Sequence, residues 1–388
     1  MIHFACSRKK SRLSAVRSAV VIAWTKMFPA SAIFVFAVSL VIGLLIALGR
    51  HVFPAVARRA KGDLGSVQSA HKRVTPRLGG VAIVVAMCIG TFFWFTSIDV
   101  RLNYAYFLLT IVPLFVVGLM EDLGYFASPR RRLAAAAVSG VLFVLVFQVW
   151  LPRVDIPVLD LAFAWAPLSI PLTIFICVGV THAFNLIDGV NGLSSTVAIV
   201  AAFALATIAH EAGLTGHRDA LLLVAIAIGG FVVLNFPFGL IFLGDAGAYV
   251  IGHILVWTAV SILWLAPDVS AFAVLLVFFW PIADTLLAIW RRLSNGKAVS
   301  SPDRLHFHQL VMRAIEISSI GRARRSLSNP LTTVVILPMA LAPMGVAVLY
   351  WNSVGITALA SVAFGVMFPA AYVVGVRWSR TARKKLAR

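Results

Sequence analysis

Long apolar runs separated by short polar stretches dominate the chain. Eleven runs approach or reach the ~20 residues a helix needs to cross a ~30 Å hydrocarbon layer. They fall at residues 28–48, 79–96, 105–120, 133–151, 168–184, 193–210, 220–236, 247–265, 271–290, 331–350 and 355–376. The pattern predicts an all-α polytopic integral membrane protein with about eleven transmembrane helices. A basic N-terminal segment, 1–27, would precede the membrane domain, 28–376, and a basic cytoplasmic tail, 377–388, would follow it.

Composition agrees. With 61% hydrophobic and 12% charged residues and a mean hydropathy of +0.97, the 388 residues do not make an ordinary soluble protein. The net charge of +19 would suggest nucleic acid in a soluble chain, but here its distribution carries the information. Loops 49–77, 121–132 and 291–329 and the tail from Arg377 hold 24 of the 33 Lys and Arg, while the opposite loops hold Arg101, Arg153 and Arg218. The first set is therefore expected on the cytoplasmic side. An odd span count then puts the N-terminus outside, against the pull of Arg8, Lys9, Lys10, Arg12, Arg17 and Lys26. A misplaced start or a surface-lying segment before Pro29 would reconcile the two signals. The first apolar run is long for a secretion signal and leads into a basic loop, so it is expected to stay as a span. Cys6, Cys88 and Cys177 are scattered and indicate neither a disulfide framework nor a zinc cluster.

Five polar clusters, all on the expected cytoplasmic side, and one acid inside a span interrupt the apolar pattern. In Lys72–Gly80, Thr75 and Pro76 read as the cap and first residue of a helix, and the cations beside its free amides suit an anion such as phosphate. Glu121-Asp122 ends the third span, where adjacent carboxylates either pair with the Arg130–Arg132 run or share a divalent cation. Thr181–Ser195 carries Asn185, Asp188-Gly189 and Asn191-Gly192. It reads as a tight turn with Ser194 or Ser195 capping the next helix, or as a functional loop. Asn235 ends the seventh span, and Asp245 after Gly244 could cap the eighth. Asp284 lies inside the ninth span, where an acid is either functional or paired structurally with Arg291 two turns on. In the last loop, Arg304, His306 and His308 suit hydrogen bonding to a phosphorylated ligand better than zinc. The two imidazoles share a side only if their backbone is extended.

Taken together, from Lys72 to His308, these clusters resemble the polyprenyl-phosphate N-acetylhexosamine-1-phosphate transferases, the family of MraY- and WecA-type enzymes. The WecA-like branch that initiates surface polysaccharides such as lipopolysaccharide O-antigen is the closer likeness: it shares the eleven spans, the intramembrane Asp284 before Arg291-Arg292, and Pro302-Asp303-Arg304-x-His306-x-His308.

The resemblance implies an enzyme of the bacterial inner membrane, multi-pass, with a cytoplasmic active site. It would transfer N-acetylhexosamine-1-phosphate from a UDP-N-acetylhexosamine to polyprenyl phosphate and release UMP. By the same likeness Glu121, Asp122 and Asp188 are the catalytic carboxylates, and Asp245 is the ligand of Mg²⁺, or of Mn²⁺ in its place. Lys72, Thr75 and Asn185 line the nucleotide-sugar pocket, Asn191 and Asn235 the uridine side, and Arg304, His306 and His308 hold diphosphate or sugar. The partners are the two substrates and the bilayer, not nucleic acid, with a homodimer as the candidate assembly. Three positions depart from the family pattern: Glu121 for Asp, Asn191 for the Asp of many bacterial members, and Gln309 for the usual last His. The competing class is a transporter or flippase for a lipid-linked or anionic solute, which should place polar groups near the midplane and on both faces. The outer loops offer Asp99, Asp155, Asp160, Glu211, Asp219 and Asp268 without a constellation.

Overall fold

The computed structural model describes residues 30–49, 75–125, 128–296, 305–321 and 324–386. Among these residues there are fifteen α-helices. The first nine are α1 (Ala30–Gly49), α2 (Gly79–Trp94), α3 (Ile98–Thr110), α4 (Val112–Asp122), α5 (Pro129–Phe147), α6 (Pro157–Phe163), α7 (Ala166–Leu186), α8 (Leu193–Glu211) and α9 (Thr215–Asn235). There follow α10 (Gly244–Leu265), α11 (Ala271–Val277), α12 (Phe279–Ser294), α13 (Phe307–Ile315, continued by one π turn, Glu316–Ile320), α14 (Arg325–Leu349) and α15 (Val354–Leu386).

The chain is an all-α integral membrane protein. Seven helices are long and apolar enough to cross a bilayer, and nine spans result if each of two bent pairs counts as one. α3 and α4 meet at 47°, with a proline in the first turn of α4. α11 and α12 meet at 76°, where Pro281 has no N–H to continue the ladder across the break. Each of the eleven apolar runs has its helix or bent pair. The two outside the nine are α2, which at sixteen residues is short for the hydrocarbon layer, and α5, which opens on three arginines. At the far end, α15 continues without a break from the last span through Leu386, so the expected tail extends the helix. Its thirty-three residues at ~1.5 Å each exceed the thickness of the membrane core. The basic segment 1–27 lies outside the described residues.

α10 is the hub. Every residue from Gly244 to Leu263 is buried, and α2, α4, α5, α7, α8 and α9 all pack on it. A helix apolar on all sides belongs inside a bundle. Small residues let its neighbours come close: a Cβ on Gly80 would run into the backbone of Gly247, so α2 and α10 touch main chain to main chain. At the other end of the bundle Arg153 ties the chain after α5 to the α10–α11 connection. It donates to the carbonyls of Pro267 and Val269 at 2.6 Å, while the Asp155 carboxylate accepts from Ala271 N at 2.6 Å. The outer acids the sequence left unassigned thus include a structural clasp.

Candidate active site

The site is built around the first turn of α10. Gly79 N and Gly80 N donate to the carbonyls of Phe242 and Leu243, each at 2.9 Å, and Phe242 N donates to Pro76 O at 2.8 Å. These bonds lay residues 76–80 along the approach to α10 and delay the start of α2 to Gly79. Thr75 is therefore not the cap expected from the sequence; its hydroxyl donates to Gly239 O at 3.3 Å. The same pairing carries Arg77 across to Asp245.

Asp122, the last residue of α4 and 4% exposed, spends both carboxylate oxygens on α10. Oδ1 accepts from Asp245 N and Oδ2 from Ala246 N, both at 2.9 Å. A helix leaves its first amides without partners, and here a carboxylate from another helix supplies them at the positive end of the dipole. The cap of α10 is thus Asp122, and the Asp245 side chain stays available. Asp245 Oδ1 lies 3.2 Å from Arg77 Nη2, and its Oδ2 lies 3.5 Å from Arg132 Nη1. Arg77 Nε is also 3.6 Å from Asp122. Gly244, at φ +78°, makes the turn that allows this, and a Cβ there would collide with Arg77 O and the Asp122 carboxylate.

Asp188 sits half-buried in the turn between α7 and α8. Loss of hydration pushes its carboxyl up to about 7; Arg77 opposes the shift and Asp245 adds to it. Arg77 therefore pairs with Asp122 and Asp245 and is near enough to Asp188 to favour its charged form. Glu121 is half-buried beside Asp122, and Asn185 faces the Tyr249 hydroxyl, whose ring meets His182 edge-on at 4.8 Å between centroids.

A second group closes over Asp188-Gly189. The Asp284 carboxylate accepts from Phe307 N at 2.9 Å and meets His306 Nδ1 at 3.0 Å, so its partners are the start of α13 and not Arg291 as expected. Arg291 donates to the Tyr372 hydroxyl at 3.0 Å, and that hydroxyl donates to Leu305 O at 3.1 Å. The helix begins between the two histidines. His306 is extended, at φ −59° and ψ 152°, and His308 is in the first turn, yet the rings stack 5.7 Å apart at 12°. Only the residue ahead of α13 needed extended backbone. Burial lowers His308 to about 4, opposed by Asp284 and reinforced by His306, so the ring is neutral at physiological pH. Its Nε2 lies where a Cβ on Gly189 would stand.

A third group fixes the rest of the turn. Asn235 Oδ1 accepts from Gly192 N at 2.7 Å, and its Nδ2 donates to Ile241 O at 2.8 Å. Asn191 N donates to Asn329 Oδ1 at 2.8 Å, Asn191 O accepts from the Thr333 hydroxyl at 2.6 Å, and Asn191 Nδ2 donates to Pro237 O at 3.1 Å. Neither serine caps α8: Ser194 and Ser195 donate to the carbonyls of Phe184 and Gly192, and the helix starts after Gly192 at φ +77°.

Residues 104–263 match the family model described as Glycosyl transferase family 4. The chain is 26% identical over 283 residues to a probable undecaprenyl-phosphate N-acetylglucosaminyl 1-phosphate transferase of Bacillus subtilis, covering 71% of this chain and 76% of that protein. It is 25% identical over 260 residues to the undecaprenyl-phosphate alpha-N-acetylglucosaminyl 1-phosphate transferase of Escherichia coli K12, covering 65% and 69%. With the decaprenyl-phosphate N-acetylglucosaminephosphotransferase of Mycobacterium tuberculosis it shares 26% over 360 residues, 79% and 87% of the two chains. These matches support membership of the polyprenyl-phosphate N-acetylhexosamine-1-phosphate transferase family.

In this sugar-phosphate transferase, Asp122, Arg132, Asp188 and Asp245 lie inside the matched residues, whereas Arg77, His306, His308, Asn329 and Thr333 lie outside them. The fold gathers Asp122, Asp188 and Asp245 around Arg77, and sets His308 against the Asp188 turn. It keeps Asn235 on backbone groups. Lys72 and Arg304 lie outside the described residues. Arg132, His182, Tyr249, Asn329 and Thr333 were not singled out from the sequence. Tyr249 is one helical turn beyond Asp245, and Asn329 and Thr333 are one turn apart in an apolar helix, so spacing alone carried a signal for these. Nothing local distinguished Arg132 from Arg130 and Arg131.

Proposed function

We propose that the protein transfers N-acetylhexosamine-1-phosphate from a UDP-N-acetylhexosamine to polyprenyl phosphate at the cytoplasmic face of a bacterial inner membrane, beginning a surface polysaccharide. The carrying observation is the convergence of Asp122, Asp188 and Asp245 with two guanidiniums at the membrane-edge turn of α10, in a chain of this family. An oxygen of the lipid phosphate attacks the β-phosphorus of the donor. The bond from that phosphorus to the bridging oxygen breaks, and UMP leaves with the electron pair. Such transfers depend on positioning and charge neutralisation more than on covalent help from the protein. Basic residues on the loops at this edge support the cytoplasmic placement.

Each residue has a task in this reading. Arg77 and Arg132 hold Asp245 until a diphosphate enters, and then share their N–H groups with its oxygens. Asp122 fixes the turn. Its oxygens are committed to backbone amides, so Glu121 faces the acceptor and takes a proton from whatever fraction of lipid phosphate still carries one. Asp188, next to the Gly189 that meets His308, lines the sugar-phosphate side. The neutral His308 hydrogen-bonds the donor without adding charge, and Asn191 meets the uracil edge.

Among the described residues no three His, Cys, Asp or Glu side chains are grouped to hold a metal ion. The carboxylates of Asp245 and Asp188 suit Mg²⁺, which binds through one or two carboxylates, substrate phosphates and water rather than in a protein cage. Asp245, with Asp188 nearby, would hold it. When bound, the ion supplies neutralisation of charge on the diphosphate.

The test is transfer by the purified protein in nanodiscs, with undecaprenyl phosphate and a panel of UDP-N-acetylhexosamines, following UMP and the lipid product together. UMP and lipid-linked sugar phosphate should appear in equal amounts, and Asp245→Asn should abolish both. Absence of lipid product with every donor, from folded wild type supplied with Mg²⁺, overturns the proposal.

A further inference from the structure

We propose that Asn329 and Thr333, on α14, are positioning residues that set how the Asn191 carboxamide meets the donor nucleobase. They stand 138 and 142 residues beyond Asn191 in the chain, yet they hold both polar groups of its peptide backbone, the N–H and the carbonyl. Both are 2% exposed.

The consequence is for the side chain. Asn191 is 5% exposed, and its Nδ2 donates to Pro237 O, which fixes which end of the carboxamide is oxygen. Asn191 Oδ1 is buried, and among the described residues none donates a hydrogen bond to it. A buried acceptor left without a donor is costly, which makes this oxygen a candidate to receive one from a ligand. The backbone bonds from α14 and the side-chain bond to Pro237 together hold this oxygen in one place, where it lacks an N–H donor. The imide of uracil offers such a donor at N3, whereas cytosine presents an acceptor at the same ring position. The specificity would then arise from the unmet acceptor, because a site built to receive an N–H rejects a ligand lacking it. The hydroxyl of Thr333 and the carboxamide of Asn329 act through Asn191 and need not touch the nucleotide.

The inference rests on the proposed use of a UDP-sugar, and direct nucleotide binding separates the two. Full-length wild type, Thr333→Val, Thr333→Ser and Asn329→Leu proteins in nanodiscs would be titrated with UMP and CMP, and assayed for kcat and for KM of UDP-N-acetylglucosamine and of undecaprenyl phosphate. Thr333→Val keeps the shape and removes the donor, while serine keeps the donor. Thr333→Val should weaken UMP binding and raise donor KM by about tenfold, the scale of one well-placed hydrogen bond. It should also erode the preference for UMP over CMP and leave acceptor KM within about twofold of wild type. Thr333→Ser should restore wild-type behaviour, and Asn329→Leu should repeat the Val phenotype. If Asn329→Leu does not fold, the Val and Ser pair decides alone. Unchanged donor KM and unchanged UMP-to-CMP preference in a folded Thr333→Val protein overturn the inference, as does a loss equal for both nucleotides. Wild type that binds UMP selectively through these residues but transfers no sugar phosphate refutes the proposed reaction and leaves this inference standing.

Discussion

Removing the Asp122 carboxylate tests whether this residue is first a cap and only through the cap a contributor to catalysis. Both oxygens accept backbone N–H bonds at 2.9 Å, and the residue is 4% exposed, so little water is available to replace them. Bonds to a charged acceptor are worth about 1.5–3 kcal/mol each, and an abandoned buried donor costs about 1–3 kcal/mol. Asp122→Asn keeps one acceptor but turns an amide N–H₂ toward the second backbone N–H. A loss of about 2–4 kcal/mol in stability is expected. Asp122→Ala forfeits both bonds and leaves Arg77 with one carboxylate fewer, for about 3–5 kcal/mol. Catalysis should suffer because the first turn of α10 carries Asp245, and a displacement of ~1 Å at a reacting centre can cost ~100-fold. The assay is kcat at saturating substrates across the neutral pH range, with thermal unfolding of the same samples. The Asn variant should show a rate deficit that is constant with pH and accompanied by lower thermal stability. Glu121→Gln is the contrast: stability unchanged, with a deficit that shrinks as pH rises past the second phosphate pKa near ~6. An Asp122→Asn protein as stable as wild type, with a rate that recovers as pH rises, would show that Asp122 is a base and that the capping argument is wrong.

Asp188 gives a pH prediction. Its carboxyl is raised to about 7 in the fold against about 3.9 in an unfolded chain, so the fold favours the protonated form. Stability should therefore fall as pH rises through this window, and Asp188→Asn should flatten that slope; parallel curves for the two proteins would refute it. Gly189→Ala places a methyl group where His308 Nε2 lies. It should cost at least ~10-fold in kcat/KM in wild type and add little in a His308→Ala background, as a double-mutant cycle would reveal. Tyr372→Phe removes the hydroxyl that joins Arg291 to Leu305 O while keeping the ring against Phe307. The loss of ~1 kcal/mol should appear as roughly fivefold in kcat/KM for the donor, and an unchanged value would free α15 from any part in placing the histidines.

What the sequence determined by itself was the class, the helices and the neighbourhood of the chemistry. Apolar runs long enough for a bilayer are local facts, and every run became a helix or a bent pair because backbone hydrogen bonds have no other partner in lipid. Charged and amide residues that interrupt such runs are also local, and they marked Asp122, Asp188, Asp245, His306 and His308. Which of them act on one another was not local. Asp122 and Asp245 are separated by 123 residues, yet a carboxylate meets two free amides because α4 and α10 pack through small residues. The caps expected at Thr75, Ser194 and Ser195 were reasonable from the nearest neighbours alone. Tertiary bonds displaced them, pairing residues 76–80 with 242–243 and giving both serines carbonyl partners. The partner of Asp284 changed for the same reason: Arg291 lay on its helix, but the amide and imidazole at the start of α13 came from across the bundle. The grip of Asn329 and Thr333 on Asn191 joins helices 138 residues apart or more, and only the packing of α8 against α14 brings them together.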